Sequence, residues 1–399
     1  MAITQPFELP EDWSGLDFAQ LPSPAFVVHA DRLEANARLL ADIRELADVR
    51  ILLALKGFAM YETFPTLSQY LDGTTSSGLH EALLAQEFFG REIHVYSPAF
   101  KPEEIQSLIG FADHLVFNSP GQWMRYRENV QNAGRRIDCG LRINPGYSEV
   151  ELALYNPCAP KSRLGTPLDW FEQELMRHGT NWLKGLSGLH FHTLCEQNVG
   201  ALARTLPEFE KRFSKYFTGL EWVNLGGGHH ITRPDYDRAA LVALLKDFRE
   251  RHGLTVYLEP GEAIALDTGI LVATVMDIID NDGLVAVLDT SATTHMPDTL
   301  EMPYRAHIYG AGQPGEHPHT YRLGGLSCLA GDVLGDYTFP EPLEIGQRLV
   351  FADMAHYTMV KTTTFNGVPL PAIVLYQPQK EPTHKVVKRF GYEHYRERL

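Results

Sequence analysis

The sequence has few of the features that would place a chain in a membrane, in an oxidising compartment or on a nucleic acid. Its four cysteines, among 399 residues, form no CxxC pair and no zinc spacing, which predicts reduced thiols. No apolar run approaches the ~20 residues that span a bilayer. Residues 1–20 lack the basic segment of a signal peptide. A net charge of −15 argues against nucleic-acid binding. These absences predict a cytoplasmic protein that binds neither nucleic acid nor membrane.

What the sequence does contain, from residue 25 to about 260, is an alternation of short β-rich runs and helical stretches. The first helix follows Asp31 and carries apolar residues at helical spacing, from Leu33 to Ile43. Eight β–α units are typical of a (β/α)8 TIM barrel, so the expected fold class is α/β. The eight predicted strands are 51–55, 73–76, 93–97, 114–117, 139–143, 189–192, 222–225 and 256–259.

After about residue 265 the pattern changes to strands joined by short turns. This predicts a second, mainly β domain, formed by residues 265–399 with residues 1–24 packed against it. Residues 25–264 are then the barrel. The strands predicted in the second domain are 270–279, 284–288, 320–323, 348–351 and 372–376.

A lysine and a run of glycines stand out at the predicted strand ends, where TIM barrels carry their active sites. Lys56 ends an apolar run and is followed by Gly57. Burial there would lower the pKa of the amine and favour a nucleophile, although a solvated strand cap is the common alternative. The loop 226–228 has three consecutive glycines whose backbone N–H groups can wrap a phosphate. A flexible turn is the alternative, and a metal on His229 and His230 is disfavoured because adjacent side chains diverge.

Two further groups follow barrel strands and can each be interpreted in two ways. Glu259 ends the eighth strand, so its carboxylate needs a cationic partner. A protonated pyridine nitrogen would serve, and so would Arg142. His190 and His192 share one face of a strand, because side chains alternate. His192 would lie flat against a ring or act as a hydrogen-bonded core histidine.

In the second domain, Cys328 and Asp332 lie on the glycine-rich loop 324–332, and Tyr357 follows a strand. A cysteine and an acid on such a loop suit a site that approaches another surface. A buried thiol and an exposed tyrosine are the alternative interpretations.

Taken together and in order along the chain, these residues resemble the fold type III pyridoxal-phosphate (PLP) decarboxylases, the group of ornithine and diaminopimelate decarboxylases and alanine racemase. The resemblance implies an alanine-racemase-like fold and PLP as the cofactor. It implies that Lys56 is the Schiff-base lysine and that His192 stacks on the ring. It assigns the phosphate to the glycine loop and to Tyr357, and the pyridine nitrogen to Glu259. Glutamate there favours decarboxylation over racemisation, because it keeps the ring a strong electron sink.

The resemblance also implies a homodimer whose active sites are shared across the interface. Cys328 would enter the partner's site and act there as the catalytic acid. Three acids are candidates to bind the substrate cations, namely Glu301, Asp298 and Asp332, and the spacing of Glu301 from Asp289 resembles that of the ornithine enzymes best.

The chain departs from the ornithine and diaminopimelate patterns at three positions. Glu262 stands where an arginine is common, 193–196 replaces a Gly-Ser loop, and Leu329 replaces an acid after the cysteine. The first two changes leave open how the phosphate is held. Strings such as Gly-Leu-His-Phe-His-Thr-Leu-Cys-Glu resemble the carboxynorspermidine/carboxyspermidine decarboxylases, which make norspermidine or spermidine and CO2. A diaminopimelate or other basic amino-acid decarboxylase, and a non-catalytic regulator on this fold, are the alternatives.

Overall fold

The computed structural model describes residues 9–399, which form two compact units. One unit is Asn36–Ile264, and the other combines residues 9–35 with Ala265–Leu399. The strands are β1 Ala25–His29, β2 Arg50–Ala54, β3 Gly73–Ser76, β4 Glu92–Tyr96, β5 His114–Phe117, β6 Asp138–Asn144, β7 Thr166–Pro167, β8 Leu186–His190, β9 Trp222–Asn224, β10 Thr255–Leu258, β11 Gly269–Asp280, β12 Leu284–Leu288, β13 His319–Gly324, β14 Val333–Phe339, β15 Arg348–Ala352, β16 Ala372–Tyr376 and β17 His384–Lys388. The α-helices are α1 Ala30–Ala47, α2 Phe64–Leu67, α3 Leu79–Phe88, α4 Pro102–Leu108, α5 Pro120–Gln131, α6 Leu168–His178, α7 Val199–Phe213, α8 Arg238–His252, α9 Glu262–Ala265, α10 Ala292–His295, α11 Asp298–Glu301 and α12 Tyr392–Arg396.

The first unit is a closed barrel of eight parallel strands, in the order β5-β4-β3-β2-β10-β9-β8-β6, with β6 pairing back to β5. The two-residue strand β7 pairs with β6 outside this ring. The eight strands are those that the sequence predicted, so the TIM barrel is confirmed. The strand predicted at 189–192 differs most, because β8 ends at His190 and leaves His192 in the following loop.

Helix α8 begins and ends at residues that capping chemistry favours, whereas α1 begins at Ala30, so Asp31 lies in its first turn rather than before it. The Asp237 side chain accepts a hydrogen bond from the backbone of Ala240 at the start of α8, and Gly253 ends that helix in the left-handed conformation. In α1, Leu33, Ala37, Leu40 and Ile43 are all buried, as their helical spacing predicts. None of the described helices is long and apolar enough to cross a membrane.

The second unit is built on a mixed sheet in the order β14-β13-β12-β11-β1-β16-β17, with β15 also pairing with β11. Strand β1 belongs to this sheet, where it pairs parallel to β16 and antiparallel to β11. The barrel unit therefore starts at Asn36, whereas the sequence analysis began the barrel at residue 25. Trp13, Leu16, Phe18 and Leu21 are part of this unit's core, so these residues before β1 pack here. Residues 1–8 of the segment that the sequence analysis placed in this domain lie outside the described residues.

Candidate active site

The carboxyl end of the barrel brings together the functional groups that follow β2, β9 and β10. Lys56 lies two residues after β2, and Gly57 packs against the backbone at the end of β10. A Cβ at Gly57 would lie 2.9 Å from the Cα of Gly261, so a larger residue would separate the two strand ends. Glycine at this position thus fixes where Lys56 leaves the barrel.

Lys56 is exposed, so its side chain enters open space rather than a packed core. The pKa of its ammonium is nevertheless lowered, first by desolvation and then by the positive charge of Arg142, with Glu259 acting in the opposite direction. Exposure of the side chain and a lowered pKa are both expected in a concave site, where solvent reaches the amine although protein surrounds it. A larger fraction of free amine makes Lys56 a better nucleophile.

Glu259 directly follows β10 and is ionised. Its Oε1 accepts a hydrogen bond of 2.7 Å from the Asn224 side chain, and its Oε2 lies 3.4 Å from His190 Nε2. Burial alone would raise the pKa of the carboxyl, but His190 and the hydrogen bonds hold it well below its usual range. No ion pair within 4.0 Å joins Glu259 to Arg142 among residues 9–399, so that alternative is wrong.

The backbone of the glycine loop is held by hydrogen bonds to side chains, and glycine is required at each of its three positions. Gly226 and Gly228 have φ angles of 75° and 83°, which favour glycine. A Cβ at Gly227 would lie 2.1 Å from the carbonyl oxygen of Glu259. The N–H of Gly226 donates to Asn224 Oδ1, and the N–H of Gly227 donates to His192 Nδ1. In the part of the chain that is described, the N–H of Gly228 donates to no acceptor, so it is available to an anion.

The hydrogen bond from Gly227 also fixes the protonation of His192. Since Nδ1 accepts at 2.9 Å, the proton of the neutral ring sits on Nε2. Desolvation, together with the nearby charges of Lys56 and Arg142, lowers the pKa of His192 well below its usual value. His192 is therefore a neutral, oriented imidazole at the rim of the barrel.

The adjacent histidines after the loop diverge, as the sequence analysis expected. His229 is buried, with its Nδ1 3.1 Å from the Tyr236 hydroxyl. His230 Nδ1 lies 3.5 Å from Glu262, the acid that stands where an arginine is common. Glu262 thus has a histidine beside it, rather than acting as an isolated negative charge near the glycine loop.

The residues predicted in the second unit have different surroundings. Cys328 is exposed on the loop between β13 and β14, and its N–H donates to Asn366. Asp332 is buried and serves the same loop, because its carboxylate accepts hydrogen bonds from the Ser291 hydroxyl and from the backbone of Ser327 and Thr293. Both Asp332 oxygens are therefore engaged, Oδ2 with Ser327 of the cysteine loop and with Ser291, and Oδ1 with the backbone of Thr293.

Asp298 and Glu301, the other two acids predicted to bind substrate cations, differ in the hydrogen bonds and ion pairs that they already make. Asp298 is buried, and its Oδ2 accepts from Tyr304 and Thr358, while its Oδ1 has no partner within residues 9–399. Glu301 is exposed and accepts from Lys361 Nζ at 2.5 Å. Tyr357 follows β15 with a φ of 48°, unusual for a residue other than glycine.

Sequence reasoning missed the role of Asn224, and it named Arg142 only as the alternative ion-pair partner of Glu259. Asn224 holds both the Glu259 carboxylate and the Gly226 backbone, and it is fully buried. Arg142 stacks on Tyr96 at 4.6 Å and donates to the His192 carbonyl. A polar residue within an apolar strand was the signal available for each of them.

Residues 26–355 match the family model described as pyridoxal-dependent decarboxylase, C-terminal sheet domain. The chain belongs to this family of PLP-dependent decarboxylases. It is 48% identical to a carboxyaminopropylagmatine decarboxylase from Synechocystis sp., over 96% of both chains. It is 42% identical to a carboxynorspermidine/carboxyspermidine decarboxylase from Campylobacter jejuni, over 95% of this chain and 98% of the relative. A solved structure of the Campylobacter jejuni carboxynorspermidine decarboxylase, complexed with norspermidine, matches with a TM-score of 0.86 at 41% identity, covering 95% of this chain and all of that one.

The barrel residues fit PLP, the cofactor of the family. The fit rests on an accessible amine of lowered pKa at Lys56, an ionised carboxylate at Glu259, and a backbone N–H at Gly228 that donates to no acceptor within residues 9–399. These groups match an aldehyde, a pyridine nitrogen and a phosphate respectively. The sequence prediction of a PLP-dependent decarboxylase is thereby confirmed at the level of the family.

Proposed function

We propose that this decarboxylase removes the α-carboxyl group from a carboxylated polyamine precursor, carboxynorspermidine or carboxyspermidine, and releases norspermidine or spermidine and CO2. The observation that carries the proposal is the match along nearly the whole chain to the Campylobacter jejuni enzyme, whose solved structure holds norspermidine. Such a substrate has an amino-acid head and, beyond it, a secondary and a terminal ammonium.

In the proposed reaction each barrel residue acts on one part of the chemistry. PLP, when bound, supplies the electron sink for the electrons that remain when CO2 leaves. Lys56 would bind PLP covalently and move protons at its Nζ. Glu259 would keep the pyridine nitrogen protonated, and the neutral His192 would lie against the ring. The N–H of Gly228 would donate to the phosphate.

A second candidate substrate is carboxyaminopropylagmatine, favoured by the 48% identity to the Synechocystis relative. This compound shares the amino-acid head but ends in a guanidinium, because agmatine does. A guanidinium is planar and prefers a bidentate carboxylate, whereas an ammonium is compact and accepts several geometries. The distal end of the substrate pocket should therefore decide between the two substrates.

A substrate panel tests the proposal directly. The rate of CO2 release would be measured with carboxynorspermidine, carboxyspermidine, carboxyaminopropylagmatine, diaminopimelate and ornithine. We expect the highest kcat/KM with carboxynorspermidine or carboxyspermidine. A preference for carboxyaminopropylagmatine would select the second candidate, and a preference for diaminopimelate or ornithine would reject both.

Glu301 is the acid that we propose to bind a substrate cation. Glu301→Gln should raise KM by about 10–100-fold and change kcat less, because a charge-assisted hydrogen bond contributes about 1.5–3 kcal/mol in ground and transition states alike. Steady-state kinetics with carboxynorspermidine would measure both constants. Lys361→Gln is the matched control, since it breaks the same ion pair and keeps the carboxylate. If Glu301→Gln has a normal KM, Asp298 becomes the better candidate, because its Oδ1 is buried without a partner.

Cys328 is proposed to act in the partner's active site of a homodimer, where it would protonate the substrate Cα after CO2 leaves. Mixing inactive Lys56→Ala and Cys328→Ala chains should then restore about a quarter of wild-type activity. Random exchange makes half of the dimers mixed, and each mixed dimer has one intact site.

The control mixes Lys56→Ala with Glu259→Gln, two changes in one barrel, and should restore nothing. Subunit exchange would be verified with differently tagged chains. If exchange occurs and the first mixture also stays inactive, Cys328 does not work across an interface.

A further inference from the structure

A second group of ionisable residues lies at the opposite end of the barrel from Lys56 and Glu259. Glu92 begins β4, His114 begins β5 and Asp138 begins β6, so all three are at the amino ends of their strands. His94 pairs in register with His114, and His114 pairs with Asp138. Glu92 and His94 share a face of β4, because they are two residues apart. Three adjacent strands thus bring two histidines and two carboxylates to one level of the barrel.

These side chains are close enough to share one ion. His94 Nε2 lies 3.1 Å from Glu92 Oε2, and His114 Nε2 lies 4.0 Å from Asp138 Oδ2. The two imidazole rings stack with their centroids 3.8 Å apart. Ligand atoms of Glu92, His94 and His114 all lie within 4.8 Å of one another.

The burial of this cluster suits a metal better than it suits a packed core. This layer of a TIM barrel is normally filled by branched aliphatic residues. Here the side chains of His94 and His114 are 1% and 7% exposed, and the Nδ1 atom of each has no hydrogen-bond partner within residues 9–399. Glu92 and Asp138 are partly exposed, which gives an ion a path from solvent.

We propose that Glu92, His94 and His114 bind a divalent transition metal of the zinc class, with Asp138 or water as the fourth ligand. Two histidines and a carboxylate are a common zinc ligand set. Zinc ligands lie about 2.0–2.2 Å from the ion, so the three ligand atoms must approach to within about 4 Å of each other. Metal binding therefore requires side-chain rotations that unstack the two rings.

The surroundings of the cluster indicate a structural rather than a catalytic role. The Tyr257 hydroxyl donates to Glu92 Oε2 at 3.4 Å, and the ring of Tyr257 packs against both histidines. A metal here would link β4 to β5 beneath the site that carries out the decarboxylation. The inference does not depend on which substrate the enzyme uses.

Cobalt(II) binding tests the proposal, because tetrahedral cobalt has intense visible absorption. The PLP-loaded enzyme, stripped with a chelator and free of any affinity tag, would be titrated with Co²⁺ and then with Zn²⁺ as competitor. We expect one equivalent to bind with a tetrahedral spectrum. His94→Gln and His114→Gln should each weaken binding by at least about 100-fold, since even changes to residues that only hydrogen-bond to a metal ligand cost about 10–100-fold. His178→Gln is the matched control, because His178 pairs with Glu174 on the surface of α6 and should leave binding unchanged.

Crystals of the wild-type enzyme soaked in Zn²⁺ provide a measurement that needs no variant. An anomalous-scattering peak bonded to Glu92, His94 and His114 would support the site even if the variants fail to fold. The proposal is overturned if the wild-type enzyme binds no Co²⁺. It is also overturned if folded His94→Gln and His114→Gln bind Co²⁺ as the wild type does, or if the anomalous peak lies elsewhere.

Discussion

Lys56→Ala should lower turnover by roughly 10³-fold or more, because proton transfer by one positioned group alone contributes about 10²–10⁴-fold. In the proposed reaction the same amine also holds PLP, so two functions are lost together. The lowered pKa of Lys56 and its open surroundings at the end of β2 are the physical basis for this expectation. Steady-state CO2 release would measure the loss.

A second measurement locates the covalent bond independently of activity. Borohydride reduction of the PLP-loaded wild type, followed by peptide mass spectrometry, should place the cofactor on Lys56, and the variant should lose that modified peptide. Lys184→Ala, at an exposed lysine of the same unit, is the matched control and should behave as the wild type. Near-normal turnover in Lys56→Ala would refute the assignment.

Glu259→Gln should keep PLP bound but reduce kcat by roughly 10²–10³-fold. Glutamine preserves the shape and an acceptor for Asn224, but it removes the charge that we propose to hold the pyridine nitrogen protonated. Losing one partner of a buried charge pair costs about 3–5 kcal/mol, and each ~1.4 kcal/mol is tenfold in rate. The visible spectrum of the bound cofactor would report the change in ring protonation, and kcat would report its consequence.

Glu174→Gln is the control for this substitution. Glu174 is also buried and also pairs with a cation, but it lies on α6 among surface partners. Its variant should retain the wild-type spectrum and rate. An unchanged decarboxylation rate in Glu259→Gln, with PLP bound, would remove the proposed role of Glu259.

The barrel could be predicted from the sequence because its strands and helices alternate regularly along the chain, and this alternation is visible in the local pattern of residues. Strand β1 does not follow this regularity. Its apolar residues suit any sheet, and its actual partners, β11 and β16, lie more than two hundred residues away along the chain. Strands β14 and β17 were missed because Gly335 and Asp336 interrupt the apolar pattern of the first, and Lys385 and Lys388 leave only two consecutive valines in the second. Local pattern carries no information about such long-range pairing.

Site residues could be predicted where the chemistry requires a particular residue type at a strand end. They could not be predicted where the role of one side chain depends on its contacts with another. Lys56, Glu259 and the glycines followed strand ends and could be selected from the sequence. That Asn224 would hold both Glu259 and Gly226 depends on how the ends of β9 and β10 meet, which the spacing along the sequence does not reveal. The same holds for Asp332, which was proposed to bind substrate and which the structure shows bonded to its own loop.

The bond between the Gly227 N–H and His192 Nδ1 links the backbone of the glycine loop to a single protonation event. A proton on Nδ1 would place a donor against a donor, and the loop would lose the contact that orders it. Because the pKa of His192 is depressed in the fold, this linkage stabilises the loop above about pH 6.5, and the stabilisation is lost as the pH falls from there towards the depressed pKa. Protonation would then disrupt both the residue that is proposed to cover the cofactor ring and the loop that is proposed to hold its phosphate. We therefore expect acid to release PLP in one cooperative step.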